Sequence, residues 1–491
     1  LRAGARRRPG LWAVTDFLAS ALERDPESVA ADDGRESWSY AELDARSREA
    51  EARLRERGLE PGRICVVTGV PSLALVATLH GAFRTGACVA PLHPGLTRPE
   101  RIRALAELRP TVVLGEQEFG GPESPMDPDE TPISPRDDVP RAAAALWTSG
   151  TTGSPRAVLL SAAGLRASAE GARDRLGLGP DDRWYASLSP AHVGGLALLT
   201  RAALLGSTLV VRGGFSVATL RALVESGDVT HASLVPTMLL RLLDGWGDRP
   251  PPDSIRCLLL GGARSPPGLV RRATARGWPI ALSYGLTEAT SQVATASPSE
   301  VADDAETLGR PLPGVEVRIA DSGEILVRGP TVARGTLDGT MLTDADGWLA
   351  TGDLGAVDAD GRLRVTGRRT DRIVTGGVTV DAHEVTDVLR THPDVDDAHV
   401  FGRPDPTWGE AVVALVAVGE RPGPSADALQ EWLRPRLSGP KRPKVIAFVD
   451  RLPRNPNGKV DRTSARALLD PSVQRGVDGS PADTRGSAGH G

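Results

Sequence analysis

The run Trp147-Thr148-Ser149-Gly150-Thr151-Thr152-Gly153-Ser154-Pro155-Arg156 sets small residues, hydroxyls and a closing guanidinium directly after the apolar Ala142–Leu146. Small residues let backbone N–H groups come close to a phosphate, and the hydroxyls add donors. The run is not the GxxxxGK[ST] pattern, and a surface turn explains it about as well when it is taken alone. A second segment, Ser283-Tyr284-Gly285-Leu286-Thr287-Glu288, follows the apolar Pro279–Leu282. An aromatic ring, a hydroxyl and a carboxylate on one loop could stack a purine, touch a phosphate and hold a divalent cation. Leu260-Gly261-Gly262-Ala263 is another glycine-rich end of an apolar run, and Thr351-Gly352-Asp353 puts a carboxylate on a turn. Gly367-Arg368-Arg369-Thr370-Asp371 and Pro453-Arg454-Asn455-Pro456-Asn457-Gly458-Lys459 complete the set. Judged singly, each is as well read as an ordinary loop.

Lys459 stands out for another reason. The chain carries 58 basic residues, yet its only lysines are Lys441, Lys444 and Lys459. A lysine is a compact charge on a flexible stem, whereas a guanidinium is a flat fork. Lys459 on a stiffened loop is therefore read as functional, and Lys441 and Lys444 as surface charges.

The elements that must position these segments follow from hydropathy patterning. Short apolar runs (64–68, 89–92, 111–114) alternate with helical stretches (40–58, 73–83, 98–108), and Ser39 with Glu42 forms a capping box. That alternation predicts doubly wound α/β sheets. Further strands are expected at Thr208–Val211, Ala232–Val235 and Cys257–Leu260. Residues 305–366 change to short alternating runs with glycine turns, a β-rich subdomain. Residues 119–140 read as a Pro-rich linker, and 471–491 as a disordered tail. The expected organisation is a large domain at 1–367, a small hinged α+β domain at 368–470, and that tail.

Composition narrows the classes. The chain has 491 residues, room for roughly two to four domains. Its 55 Gly and 40 Pro stay below the roughly 25–30% that signals low complexity. A net charge of −5 leaves no basic nucleic-acid footprint. Cys65, Cys88 and Cys257 are scattered and form no CxxC, so neither a disulfide framework nor a zinc site is expected. The uncharged stretch Ile64–Phe83 is broken by Gly69, Pro71, Ser72, Thr78 and His80, which argues for strand, loop and helix rather than a membrane span. No signal-peptide pattern follows the basic start, and a reducing cytoplasm fits best.

Taken in order, the six segments resemble the motifs of the adenylate-forming superfamily of acyl-CoA synthetases, adenylation domains and luciferases, over about residues 12–467. Within it the chain is most similar to the o-succinylbenzoate–CoA ligases of menaquinone biosynthesis. Tyr284-Gly-Leu-Thr-Glu-Ala-Thr-Ser291-Gln292, Thr370 within Gly367–Asp371, and His192 within Ser189-Pro-Ala-His-Val-Gly-Gly195 carry that finer likeness.

The resemblance implies roles. Thr148, Ser149, Gly150, Thr151, Thr152 and Gly153, with Arg156, would wrap the phosphates of ATP. Gly261, Gly262 and Ala263 would line the adenine, Tyr284 and Gly285 would meet its face, and Asp353 and Arg368 would bind the ribose. Thr287 would contact the α-phosphate and Glu288 would hold Mg²⁺. His192, Ser291 and Gln292 would shape the acyl pocket. Lys459 would bridge carboxylate and α-phosphate. Rotation about Thr370 would then bring Gly376 and Gly377 to the site for attack by coenzyme A. Arg156 departs from the lysine that most such proteins carry there, and Ala157 from a glycine. A CoA ligase for another aryl or fatty acid, a carrier-loading adenylation module and a non-catalytic adenylate-binding regulator are the alternatives. No nucleic-acid or membrane partner is implied, and a homo-oligomer is compatible with the sequence.

Overall fold

The computed structural model describes residues 15–115, 141–148, 156–369, 372–375, 378–419, 423–455 and 459–469. The expected linker core and the C-terminal tail lie outside these residues. The chain divides into two compact units, Leu1–Thr366 and Gly367–Gly491.

Among the described residues the first unit has three sheets. One has five strands: Val112–Leu114, Ile64–Thr68, Cys88–Leu92 and Ala144–Thr148 run parallel, and Arg156–Leu160 closes it antiparallel. The second has nine strands, with Arg183–Tyr185, Thr208–Val210, His231–Leu234, Cys257–Leu260 and Ile280–Leu286 parallel at its centre. Ser291–Ala296 and Arg310–Pro311 extend it antiparallel. Strands such as Ile64–Thr68 and Cys257–Leu260 are buried along their whole length. That is why they read as continuous apolar runs, not as alternating ones. The third sheet is antiparallel, ordered Glu316–Ile319, Glu324–Arg328, Leu349–Val357, Leu363–Arg368. The doubly wound architecture and the β-rich subdomain expected from patterning are both present.

Helix boundaries follow local chemistry. Ser39 caps Tyr40–Glu56 with its side chain on the Glu42 N–H while Glu42 reaches back, and Gly58 at φ +82° lies just beyond the helix end. The second unit pairs Asp397–Asp405 with Gly409–Ala417 antiparallel and adds Val445–Val449 parallel. The helices Ala382–Leu389 and Ala426–Leu433 share an apolar core with these strands. Among the described residues no helix is long and apolar enough to cross a membrane. Cys65, Cys88 and Cys257 are buried and form no disulfide with one another.

The first unit also buries neutral bases. His80 is 4% exposed, and burial, aided by the nearby Arg84 charge, pushes its pKa down to about 4. His231 lies against the ring of Trp184 and is pushed down to about 3 by burial, then by Arg256 and Arg201. The unfolded chain protonates such groups near pH 6.5, but the fold does not until the pH is far lower. Their burial therefore removes stability as pH falls below about 6.5. The variant carrying both His80→Gln and His231→Asn is expected to show a shallower fall of melting temperature between pH 6.5 and 4 than the wild type, by scanning calorimetry.

Candidate functional site

The site of the first unit lies at the carboxyl ends of its parallel strands, the usual ligand position in open α/β sheets. Cys257–Leu260 delivers Gly261 and Gly262; the Gly261 N–H donates to the Leu234 carbonyl at 3.1 Å, and Gly262 turns with φ +76°. The adjacent strand Ile280–Leu286 delivers Tyr284 and Gly285. It then tightens into the 3₁₀ turn Thr287–Ala289, which presents Thr287 and Glu288 half-buried.

Two features hold that turn. A Cβ at Gly285 would lie 1.8 Å from the Ser291 carbonyl oxygen, so only glycine lets the strands pair here. Thr290 and Ser291 adopt φ +50° and +91°, a left-handed path that costs side-chain-bearing residues energy. The cost is offset by hydrogen bonds. Thr290 Oγ1 donates to the Thr331 carbonyl at 2.5 Å, and the Ala333 N–H donates to the Glu288 carbonyl at 2.8 Å.

Asp353 reaches the same place from the antiparallel sheet. Its carboxylate is 5% exposed and accepts the Tyr284 hydroxyl at 2.8 Å. Tyr284 and Asp353, expected at the adenine and the ribose, thus meet across two sheets. His192 occupies the N-cap position of the helix Val193–Leu205, and its ring stacks on His93 at 5.7 Å. Gly195 lets the first helical turn lie against the Ser189 carbonyl, which a Cβ there would meet at 2.1 Å. His93, whose pKa burial lowers, was not singled out by sequence; a histidine after the strand Cys88–Leu92 carries no spacing signal.

Gln292 is buried. Its amide donates to Thr295 Oγ1 at 2.7 Å and accepts from Arg201 at 3.0 Å. Arg201 was also missed. Its signal was available: it is the only charged residue in the helix Val193–Leu205. It is 4% exposed, lies 4.3 Å over Trp184, and burial lowers its pKa to about 10.

Arg156 begins the strand after the glycine-rich segment and pairs with Thr148. Close to it, the Asp338 carboxyl is pulled down to about 2, first by the Thr336 hydroxyl, then by Thr340, with Arg156 adding to the effect. Residues Ser149–Gly153, Thr370, Gly376 and Gly377 lie outside the described residues, as does the side chain of Thr148. In the second unit, Lys459 is exposed. Its carbonyl accepts the Asn455 N–H at 2.8 Å and its N–H donates to Asn455 Oδ1 at 3.0 Å, tying these two residues together. Arg368 ends the strand that leads into this unit. Lys441 pairs with Glu384, and Lys444 lies 4.8 Å over Trp408, as surface charges do.

Residues 18–337 match the family described as AMP-binding enzyme, and residues 384–459 match its C-terminal domain. The chain belongs to this family. It is 32% identical to 2-succinylbenzoate–CoA ligase of Geobacillus kaustophilus, over 94% of this chain and 99% of that one. It also superimposes on o-succinylbenzoate-CoA synthetase of Bacillus subtilis in complex with its acyl-adenylate intermediate. That match has TM-score 0.82 and 30% identity, over 93% and 98% of the two chains. The same synthetase in complex with ATP and magnesium ion matches at TM-score 0.81 and 29% identity, over 92% and 99%.

Gly285→Ala is expected to displace Tyr284 and the turn behind it. Misplacement of about 1 Å can cost about 10²-fold in function. AMP affinity, measured by calorimetry, should fall at least about 10-fold, and the melting temperature should drop.

Proposed function

We propose that the chain is an ATP-dependent, AMP-forming acid–thiol ligase that converts o-succinylbenzoate to its coenzyme A thioester, a step of menaquinone biosynthesis in the cytoplasm. The observation that carries this reading is the near-complete likeness to the B. subtilis synthetase in its acyl-adenylate complex, joined to a site that places Tyr284, Thr287, Glu288 and Asp353 together.

The residues suit the nucleotide. Gly261 and Gly262 leave room for a flat base, Tyr284 offers a ring face, and Asp353 offers acceptors to the ribose hydroxyls, a task shared with Arg368. Thr148, Ser149, Thr151 and Thr152 supply donors for the outer phosphates, and Arg156 supplies a charge that binds phosphate well. Mg²⁺ is commonly held by one or two carboxylates, here Glu288, with substrate phosphates and water. Bound there, Mg²⁺ would neutralise phosphate charge.

The reaction has two steps. A carboxylate oxygen of the acid attacks the α-phosphorus in line, and the bond to pyrophosphate breaks. Lys459 and Thr287 stabilise the charge that grows on the α-phosphate oxygens. The second unit then turns about Thr370, withdrawing Lys459 and bringing Gly376 and Gly377 to the site. The coenzyme A thiol loses its proton, its sulfur attacks the acyl carbon, and AMP leaves. His192 and Ser291 contribute to the acyl pocket.

A CoA ligase for another aryl or fatty acid is the second reading. It is favoured by the Gln292 amide, which already meets Arg201 and Thr295. A panel of acids assayed with ATP, Mg²⁺ and coenzyme A separates the two. The highest kcat/KM is expected for o-succinylbenzoate, with AMP and thioester formed in equal amounts; a much higher value for another acid selects the second reading.

Lys459→Ala is expected to slow acid-dependent pyrophosphate exchange about 10²–10³-fold, the usual cost of losing a preorganised charge-stabilising group. Thioester formation from supplied acyl-adenylate should be nearly unchanged.

A further inference from the structure

Asp353 does not lie on a regular strand. Leu326 pairs with Ala350 and Glu324 with Leu354, so Thr351, Gly352 and Asp353 together oppose the single residue Ile325. Such a bulge re-aims side chains and removes the backbone groups of the bulged residues from the ladder. Buried backbone groups need partners, and two side chains provide them. Thr351 Oγ1 donates to the Ile325 carbonyl at 2.8 Å and accepts the Asp353 N–H at 3.1 Å. Glu324 Oε1 accepts the Gly352 N–H at 2.9 Å, and this carboxylate is only 7% exposed. Gly352 turns at φ +74° between them.

We infer that Glu324, together with the Thr351 hydroxyl, is a positioning residue for Asp353: it fixes the bulge so that the Asp353 carboxylate is aimed at the sugar hydroxyls of the nucleotide. The inference rests on the reading of Asp353 as the ribose ligand. Carboxylates are costly to bury unless hydrogen-bonded. Glu324, beside the bulge and accepting the N–H of the turn glycine Gly352, fixes the backbone between Thr351 and Asp353. Tyr284, on the other sheet, holds the Asp353 carboxylate itself through its hydroxyl. Asp353 is thereby oriented before any ligand arrives, which lowers the cost of binding.

The test compares MgATP with the magnesium complex of 2′,3′-dideoxyATP, by calorimetric titration of the full chain, for which the identity of the acid is irrelevant. Glu324→Ala and Thr351→Val should each weaken MgATP about 10-fold, the size of one hydrogen bond to a charged group. Each should leave the dideoxy nucleotide within about twofold of wild type, because that ligand has no hydroxyl for Asp353 to hold. Equal weakening of both nucleotides, or of neither, overturns the inference. Thr351→Val decides the matter should Glu324→Ala fail to fold. Asp353→Ala separates the two ways of failing. If it also leaves the ratio of the two affinities unchanged, the ribose reading has fallen and the inference with it. If it collapses the ratio while the other variants do not, only the positioning role has fallen.

Discussion

No side chain fits between Gly285 and the Ser291 carbonyl, and much of the site follows from that exclusion. Because the two backbones touch, the chain must reverse within a few residues, and it does so through left-handed conformations at Thr290 and Ser291. The reversal leaves Thr287 and Glu288 on a single tight turn at the end of a buried strand. Tyr284 sits one residue before the contact, so its ring and hydroxyl inherit the same rigidity. The energy stored in the turn is opposed by the bonds from Thr290 and Ala333 to their neighbours. Strain of this kind persists only where surrounding structure over-determines it.

A second constraint joins to the first through one hydrogen bond. Tyr284 belongs to the nine-stranded sheet and Asp353 to the four-stranded one, and the hydroxyl–carboxylate contact links them. The nine-stranded sheet supplies Tyr284 and the glycines at its strand ends; the four-stranded sheet supplies the buried Asp353 carboxylate from its bulge. This division explains why one chain needs both kinds of sheet.

Much of this was legible in the sequence. Buried parallel strands announce themselves as unbroken apolar runs, so Ile64–Thr68 and Cys257–Leu260 were placed closely. The capping box at Ser39 fixed a helix start, and the glycine turns marked the β-rich part. Tyr284, Glu288 and Asp353 were singled out only through the order of six short motifs, each of which alone reads as an ordinary loop. What escaped were residues whose importance is purely spatial. Glu324 looks like any acidic start to a strand until its partner Gly352, 28 residues away, folds onto it. Arg201 is one arginine among many, and only its apolar neighbours hinted that its charge is enclosed. His93 needed the fold to bring it beside His192. The burial of Gln292 was equally hidden, since alternation along a strand does not say which face another helix will cover.

The distribution of amines has a chemical consequence. An acyl-adenylate is an electrophile that can acylate an unprotonated primary amine as well as a thiol, so an enzyme that makes one risks modifying itself. This chain offers only three lysine side chains to such damage, and Lys441 and Lys444 are engaged by Glu384 and by the face of Trp408. Arginine, far less nucleophilic because its charge is never given up, supplies nearly all the remaining positive charge. A chain so poor in ε-amino groups offers an amine-directed label few targets.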